Sequence, residues 1–299
     1  MDPPAPPSPH GGVWAAGSGR LEVGLAGLGT LRWVAVDITL LLEEARRRLD
    51  LSPIAAVALG RSLTAAALLQ RISFKVPARL VLEVMGDGPL GKVVAEADSS
   101  GRLRGMVGNR RLPTPEDGRM RIAPLVGQGF LRVTREGRRG RYSSQVALVS
   151  GELGSDLAHY LEQSEQIRSA VLLGVLPKPT GIAAAGGLVV EALPGTEDRI
   201  IDRLEANIGA LEGVSFYLDR GGIPALAEAV LEGFEREVVE SQALEYRCRC
   251  TRQGLLSQLL PLAQQDLAAL VREDGTCEAS CVYCGSRYVY AAEEFAITN

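Results

Sequence analysis

Cys248-Arg249-Cys250 and, thirty residues later, Cys281-Val282-Tyr283-Cys284-Gly285 decide how this 299-residue chain is built. Two close cysteine pairs across a spacer are what four thiolates need to surround one ion tetrahedrally. Each pair grips from a tight turn, and the spacer folds back between them. Zinc suits such a set because it is borderline-soft and imposes little geometric preference on sulfur. All five cysteines lie between residues 248 and 284. Cysteines crowded into one end of an intracellular chain point to metal or redox chemistry, not to a disulfide framework. Residues 248–299 are too few to bury a large core unaided, and their apolar residues (Leu255, Leu256, Leu259, Leu260, Leu267, Leu270 and Val289) are sparse. A zinc ion can add roughly 10–16 kcal/mol of folding free energy at neutral pH.

The spacing leaves both a static zinc ribbon and a redox switch open. C-x-C is less usual than C-x-x-C in purely structural sites, and each pair can close a small disulfide ring once the metal is gone. Arg247, Arg249 and Arg252 crowd the first pair and are expected to favour thiolate over thiol. Cys277 stands four residues before Cys281. On a strand it would share a face with Ala279 and Cys281. It reads as a small buried hydrophobe or as an alternative ligand or disulfide partner for Cys281.

Outward from the cysteines, 46% hydrophobic and 23% charged residues exclude wholesale disorder. The net charge of −4 excludes a nucleic-acid-coating polycation. The fold class expected is α+β. A Pro- and Gly-rich disordered extension (1–20) precedes a mixed α/β core domain (21–195), a helical linker region (196–247) and the zinc-binding domain (248–299). In the core, Arg32–Ile38, Leu80–Met85, Lys92–Ala97 and Arg102–Val107 read as strands, with further strands near 130–149 and 168–193. Thr39, Ser52 followed by Pro53, and Ser155 read as helix starts. In the linker, Ile200, Ile201, Leu204, Ile208 and Leu211, then Leu226, Val230, Leu231, Phe234 and Val238, recur at helical spacing. The apolar stretch Leu51–Gln70 carries Arg61 at its middle, so it is expected to be a buried helix and not a membrane span. MDPPAPPSPHGG lacks the basic start and apolar run of a signal peptide, so a cytoplasmic location is expected.

Other signals point nowhere further. Gly86-Asp-Gly88-Pro-Leu-Gly91 matches a dinucleotide fingerprint, but a strand pattern follows where a helix is required, so it reads as a turn. Residues 102–141 hold eleven Arg against three acidic residues, which reads as charged hairpin edges more readily than as a nucleic-acid patch. Of the two histidines, His10 lies in the tail and His159 on a helix, so no catalytic site emerges.

Taken with Leu51-Ser-Pro-Ile-Ala-Ala-Val-Ala-Leu-Gly-Arg61, Arg104-Gly-Met-Val-Gly-Asn109, Tyr160-Leu-Glu-Gln-Ser-Glu-Gln166 and Ala184-Ala-Gly-Gly-Leu188, the two cysteine pairs make the chain resemble the redox-regulated 33 kDa chaperonin family of bacterial heat-shock holdases. The resemblance runs from about residue 21 to near the C-terminus. It implies one Zn2+ per chain, held in the reduced form by Cys248, Cys250, Cys281 and Cys284. It implies that peroxide or hypochlorous acid, with heat, converts these to Cys248–Cys250 and Cys281–Cys284 disulfides and releases the zinc. The module and linker then unfold, homodimers form, and unfolded client proteins are held without ATP. Leu204, Ile208, Leu211, Leu226, Leu231 and Phe234 are expected to contribute to the client-binding surface. No enzymatic turnover, membrane or nucleic-acid partner is expected. Two other readings fit the cysteines less well. A constitutive zinc-ribbon nucleic-acid-binding protein needs a basic module, and residues 247–299 are not basic. A dithiol oxidoreductase needs free nucleophiles, which zinc ligation would quench. The Pro-rich extension and Cys277 lie outside the family pattern.

Overall fold

The computed structural model describes residues 19–73, 78–138, 140–262 and 264–295. Most of the disordered extension expected over 1–20 falls outside them. The chain divides into two compact units, one running to Tyr246 and the other from Arg247.

The larger unit opens with β1 (Gly19–Ala26), β2 (Leu31–Asp37), α1 (Thr39–Leu49) and α2 (Pro53–Ser73). Then follow β3 (Ala78–Gly86), β4 (Val93–Asp98), β5 (Arg102–Val107), the short α3 (Ala123–Val126), β6 (Gly129–Gly137) and β7 (Gly140–Ala147). It closes with α4 (Gly154–Tyr160), β8 (Ser169–Lys178), β9 (Gly181–Ala192), α5 (Asp198–Gly209), α6 (Val214–Val230) and β10 (Arg236–Tyr246). The strands form one ten-stranded sheet in the order β7-β6-β3-β4-β5-β10-β1-β2-β9-β8. β10 joins its halves. It runs antiparallel to β1 along Gly19–Ala26, and meets β5 in parallel only at Glu245 and Tyr246. The Tyr246 hydroxyl fixes that junction, donating to Gly105 O at 2.9 Å and accepting from Gly105 N–H at 3.0 Å.

α2 is apolar around its whole circumference, as a helix must be when both sides are covered. It packs on strands of both half-sheets: Thr64 lies against Gly187 of β9, and Leu59 and Leu63 against Gly105 of β5. It is the one described helix long and apolar enough to cross a membrane, and 89% of that stretch is buried inside the protein. Its Arg61 pairs with Glu152. On the opposite face of β2 and β9, α5 and α6 pack around Trp33, Ala35, Ala184 and Leu188. α6 breaks at Gly221-Gly222, where Gly222 has φ 64° and ψ −152°, and resumes at Pro224, a residue suited to a helical first turn.

Several local expectations are corrected. The helical pattern of 196–247 ends at Val230, because Gly233 turns the chain at φ 73° and Arg236–Tyr246 is then held extended by β1. Val238, counted in the helical stripe, is 54% exposed on that strand. Thr39 does not cap α1. Its hydroxyl donates to Asp37 Oδ1 at 2.7 Å and accepts from Ala185 N–H at 3.0 Å. Nor does Ser155 cap α4, whose start is organised by buried Asp156, the acceptor for the N–H groups of Val149, Ser150 and Leu153. The segment after Tyr160 is a π-helical turn, Leu161–Glu165, closed by Gln166 at φ 58°. The glycine-rich loop after β3 leads into β4, as its strand pattern requires, and is tied to the α3 loop by Gly88 N–H to Val126 O (2.9 Å) and Leu90 N–H to Leu125 O (2.9 Å).

Glu96 is buried in the β3–β4–β5 half, with Arg79 Nη2 at 2.6 Å and Arg104 Nε at 2.8 Å. Burial alone would raise its pKa, but hydrogen bonds from Arg104 and Arg79 outweigh it and hold the carboxyl below the ordinary Glu value. This contribution to stability is therefore fully present above the unfolded-state Glu pKa and is lost as pH falls through the lowered folded-state value. Glu96→Ala should cost about 2–3 kcal/mol in urea unfolding at pH 7, since two partly exposed guanidinium groups lose their buried partner. The difference from wild type should shrink in acid.

Candidate metal centre

The smaller unit is assembled around its cysteines. Cys248 and Cys250 lie just before α7 (Arg252–Leu259), which Thr251 caps by accepting from Gly254 N–H at 3.0 Å. After α8 (Gln264–Leu270), the strands β11 (Thr276–Ser280) and β12 (Arg287–Ala291) pair as an antiparallel hairpin, and Cys281 and Cys284 occupy its tip. The tip is a tight knuckle. Cys281 N–H donates to Ser286 O at 2.8 Å, Gly285 N–H donates to Cys281 O at 2.8 Å, and Gly285 turns the chain at φ 69°. A left-handed residue after C-x-x-C lets the backbone fold under both sulfurs, and glycine does so without strain.

Sequence-distant pairs meet here. All four Sγ atoms lie within 4.8 Å of one another, and all four cysteines are buried. Cys248 Sγ is 3.7 Å from Cys281 Sγ, and Cys250 Sγ is 3.4 Å from Cys284 Sγ. Zn–S bonds of about 2.3 Å in a tetrahedron put neighbouring sulfurs about 3.8 Å apart. The donor set therefore fits zinc in number, chemistry and spacing.

The sulfurs cannot all ionise on their own. Hydrogen bonds from Cys281 and Cys284 hold Cys248 far below the ordinary thiol range. Cys281 is pushed up to about 11, chiefly by its hydrogen bond to Cys248, and Cys284 is pushed up by its own hydrogen bonds to Cys248 and Cys281. Bound Zn2+ supplies the positive charge that lets all four remain thiolates. The chain adds donors of its own: backbone N–H groups of Cys250, Tyr283 and Ser286 point at Cys248, Cys281 and Cys284.

The expectation that Arg252 favours thiolate at the first pair is corrected. Its guanidinium makes a two-point ion pair with Glu294 (2.8 and 2.6 Å) and covers the Tyr290 ring at 4.6 Å. That contact staples the start of α7 to the end of β12. Cys277 lies across the hairpin from Tyr290, outside the four-sulfur cluster, and burial raises its pKa. It packs as a small buried hydrophobe. Sequence reasoning missed two hydroxyls at the sulfurs. Tyr288 Oη is 3.3 Å from Cys250 Sγ, and Ser286 Oγ is 3.1 Å from Cys284 Sγ. Ser286 stands two residues after Cys284, the offset from which a side chain reaches back to a knuckle sulfur.

In the larger unit, the six residues expected at the client surface come together in one apolar cluster. Leu204, Leu226 and Leu231 are buried, and Ile208, Leu211 and Phe234 are packed against them. The basic region behaves differently from a free patch. Seven of its arginines (Arg102, Arg104, Arg111, Arg121, Arg132, Arg135 and Arg141) form ion pairs within the chain.

A buried four-cysteine site that fits zinc in a small unit, following in sequence a sheet-and-helix unit with its own core, defines a zinc-binding protein. The model of the family described as Hsp33 protein matches residues 20–291. The 33 kDa chaperonin of a Thermus thermophilus strain is 45% identical over 290 residues, covering 92% of this chain and 85% of that protein. That of Symbiobacterium thermophilum is 41% identical over 271 residues, covering 89% and 92%. The crystal structure of the 33 kDa chaperonin from Thermotoga maritima superposes with a TM-score of 0.83 at 35% identity, covering 93% of this chain and 96% of that one. The chain belongs to the Hsp33 family of 33 kDa chaperonins. It is a redox-regulated, zinc-binding chaperone of unfolded proteins, with one Zn2+ site per chain and no catalytic turnover.

Removing the metal should unfold the small unit selectively. After a strong chelator is added to the reduced full-length chain, amide exchange should become fast across 247–295, while the protected amides of α2 persist. Cys281→Ser should lower zinc from one per chain to a substoichiometric amount by elemental analysis.

Proposed function

We propose that Cys248, Cys250, Cys281 and Cys284 are both the zinc ligands and the oxidation sensor, and that oxidation pairs Cys248 with Cys250 and Cys281 with Cys284. The observation that carries this reading is the convergence of two separate cysteine pairs in one buried pocket, where the metal and the disulfides compete for the same sulfurs. The within-pair assignment follows the family resemblance. Once the sulfurs are oxidised, residues 248–299 lose the charge balance that stabilises them and unfold.

Residues 21–195, with β10 completing their sheet, then serve as the lasting scaffold, and the α5–α6 layer of the 196–247 linker is the part that loosens. α5 has only 12 residues, and a helix of that length is marginal without packing. Its departure from β2 and β9, together with α6, uncovers Leu204, Ile208, Leu211, Leu226, Leu231 and Phe234 to unfolded clients. Order-to-disorder exposure of an apolar face accounts for holding without ATP. The exposed face also suits a homodimer of the oxidised form. A cytoplasmic location, without membrane or nucleic-acid partners, completes the reading.

The test is light scattering of a chemically unfolded client diluted into buffer containing the reduced, zinc-loaded chain or the chain treated with peroxide at elevated temperature. Only the oxidised chain should suppress aggregation; equal inertness of both forms refutes the switch. Ile208→Ser with Phe234→Ser, two partly exposed positions, should weaken holding by the oxidised chain several-fold. Unchanged holding would remove this stripe from the client surface.

A further inference from the structure

We infer that the hydroxyls of Tyr288 and Ser286 restrain the zinc thiolates and set the peroxide concentration at which the site opens. The inference rests on the switch reading above. It concerns how readily the sulfurs react, which the presence of four ligands does not determine.

Tyr288 stands on β12, 8% exposed, with its Oη 3.3 Å from Cys250 Sγ. Ser286 stands at the tip of the hairpin, 9% exposed, with its Oγ 3.1 Å from Cys284 Sγ. A free thiol can donate in such contacts. A zinc-bound thiolate can only accept, so in the loaded protein both become O–H···S hydrogen bonds. The two sulfurs concerned are neighbours, 3.4 Å apart, and come one from each cysteine pair. Each pair therefore contains one sulfur bearing a side-chain hydroxyl.

The chemistry gives such a contact a defined consequence. A thiolate lone pair attacks a peroxide oxygen, the O–O bond breaks, and hydroxide departs to become water, leaving a sulfenic acid. The second thiolate of the pair attacks that sulfur, the S–O bond breaks, a second hydroxide leaves, and the S–S bond forms. Two thiolates lose two electrons, and one peroxide gains them. A hydrogen bond to the sulfur stabilises the lone pair that must attack, so it slows the step in which that sulfur is the nucleophile, whether on peroxide or on its partner's sulfenic acid. Backbone N–H donors act the same way, but only the hydroxyls can be removed by substitution without altering the knuckle. Tyr288 and Ser286 are thus positioning residues for the switch.

The test follows zinc release into a chromophoric chelator when the reduced, zinc-loaded full-length chain meets excess hydrogen peroxide. Tyr288→Phe and Ser286→Ala should each release zinc roughly three- to tenfold faster than wild type, the size expected for loss of one hydrogen bond of ordinary net strength. Ser286→Thr, which keeps a hydroxyl, should restore the slower rate. Release to the chelator without oxidant should be unchanged, and in the cobalt-substituted variants the sulfur-to-metal charge-transfer band should move to lower energy. A wild-type peroxide rate in both hydroxyl-free variants overturns the inference. So does a faster rate matched by equal acceleration without oxidant, which would report only a loosened fold. If wild type itself keeps its zinc under peroxide, the switch reading fails, an outcome distinct from any difference among the variants.

Discussion

Four sulfur anions within 4.8 Å of one another are stable only beside a cation, and the small unit is arranged around that constraint. Its apolar core is thin, built from Leu256, Leu267, Cys277, Tyr290 and Phe295. Such a core offers only a few kcal/mol, whereas zinc ligation supplies roughly 10–16 kcal/mol at neutral pH. The metal therefore decides whether residues 247–295 fold. A protein that leaves this decision to one ion has made the unit's stability conditional on the oxidation state of its ligands.

The larger unit carries no such dependence. α2 lies wholly inside it, against strands of both half-sheets, and the sheet is continuous through β10. Conditional stability enters at its α5–α6 layer. That layer holds to β2 and β9 through a continuous apolar cluster, and its second helix is already interrupted at Gly221-Gly222. A chain broken by glycines and restarted by proline gains little cohesion from helix propagation, so packing supplies most of its order. The element that covers the apolar face is thus the one least able to persist without it.

Both ends of this arrangement were legible in the sequence for physical reasons. Thiolate ligation demands close pairs, so Cys248, Cys250, Cys281 and Cys284 announce themselves by spacing, and Arg61 within Leu51–Gln70 marks a buried helix. The stripe from Ile200 to Phe234 carries a helical period, and its residues other than Ile201 converge on one cluster. The period misled at Val238, because local spacing cannot register that β1 offers its edge to the same residues. The helix starts at Thr39 and Ser155 were placed correctly to within a residue, but their capping roles were misread for a similar reason. Thr39 is engaged by Ala185 and Asp156 organises the start of α4, partners that capping rules do not see. The hydroxyls at Cys250 and Cys284 were hidden because tyrosine and serine are common residues, and only the folding of the segment before α7 against β12 places Tyr288 beside a cysteine 38 residues earlier.

The pairing implied by family likeness also has the right energetic sense for a unit that must unfold. Two of the sulfur contacts span 33 and 34 residues, Cys248 with Cys281 at 3.7 Å and Cys250 with Cys284 at 3.4 Å. A disulfide across either span would constrain the unfolded chain and favour the folded unit by about 4 kcal/mol, in place of the metal it displaced. Oxidation would then exchange one brace for another. Disulfides within Cys248-x-Cys250 and Cys281-x-x-Cys284 close only very short loops and leave the unfolded chain almost as free as before. They remove the metal's ligands without restoring the connection the metal made between distant segments. Pairing within each short segment is thus the proposed outcome by which oxidation would melt the unit, and a hydroxyl on one sulfur of each pair lies where it would restrain that step until oxidant is abundant.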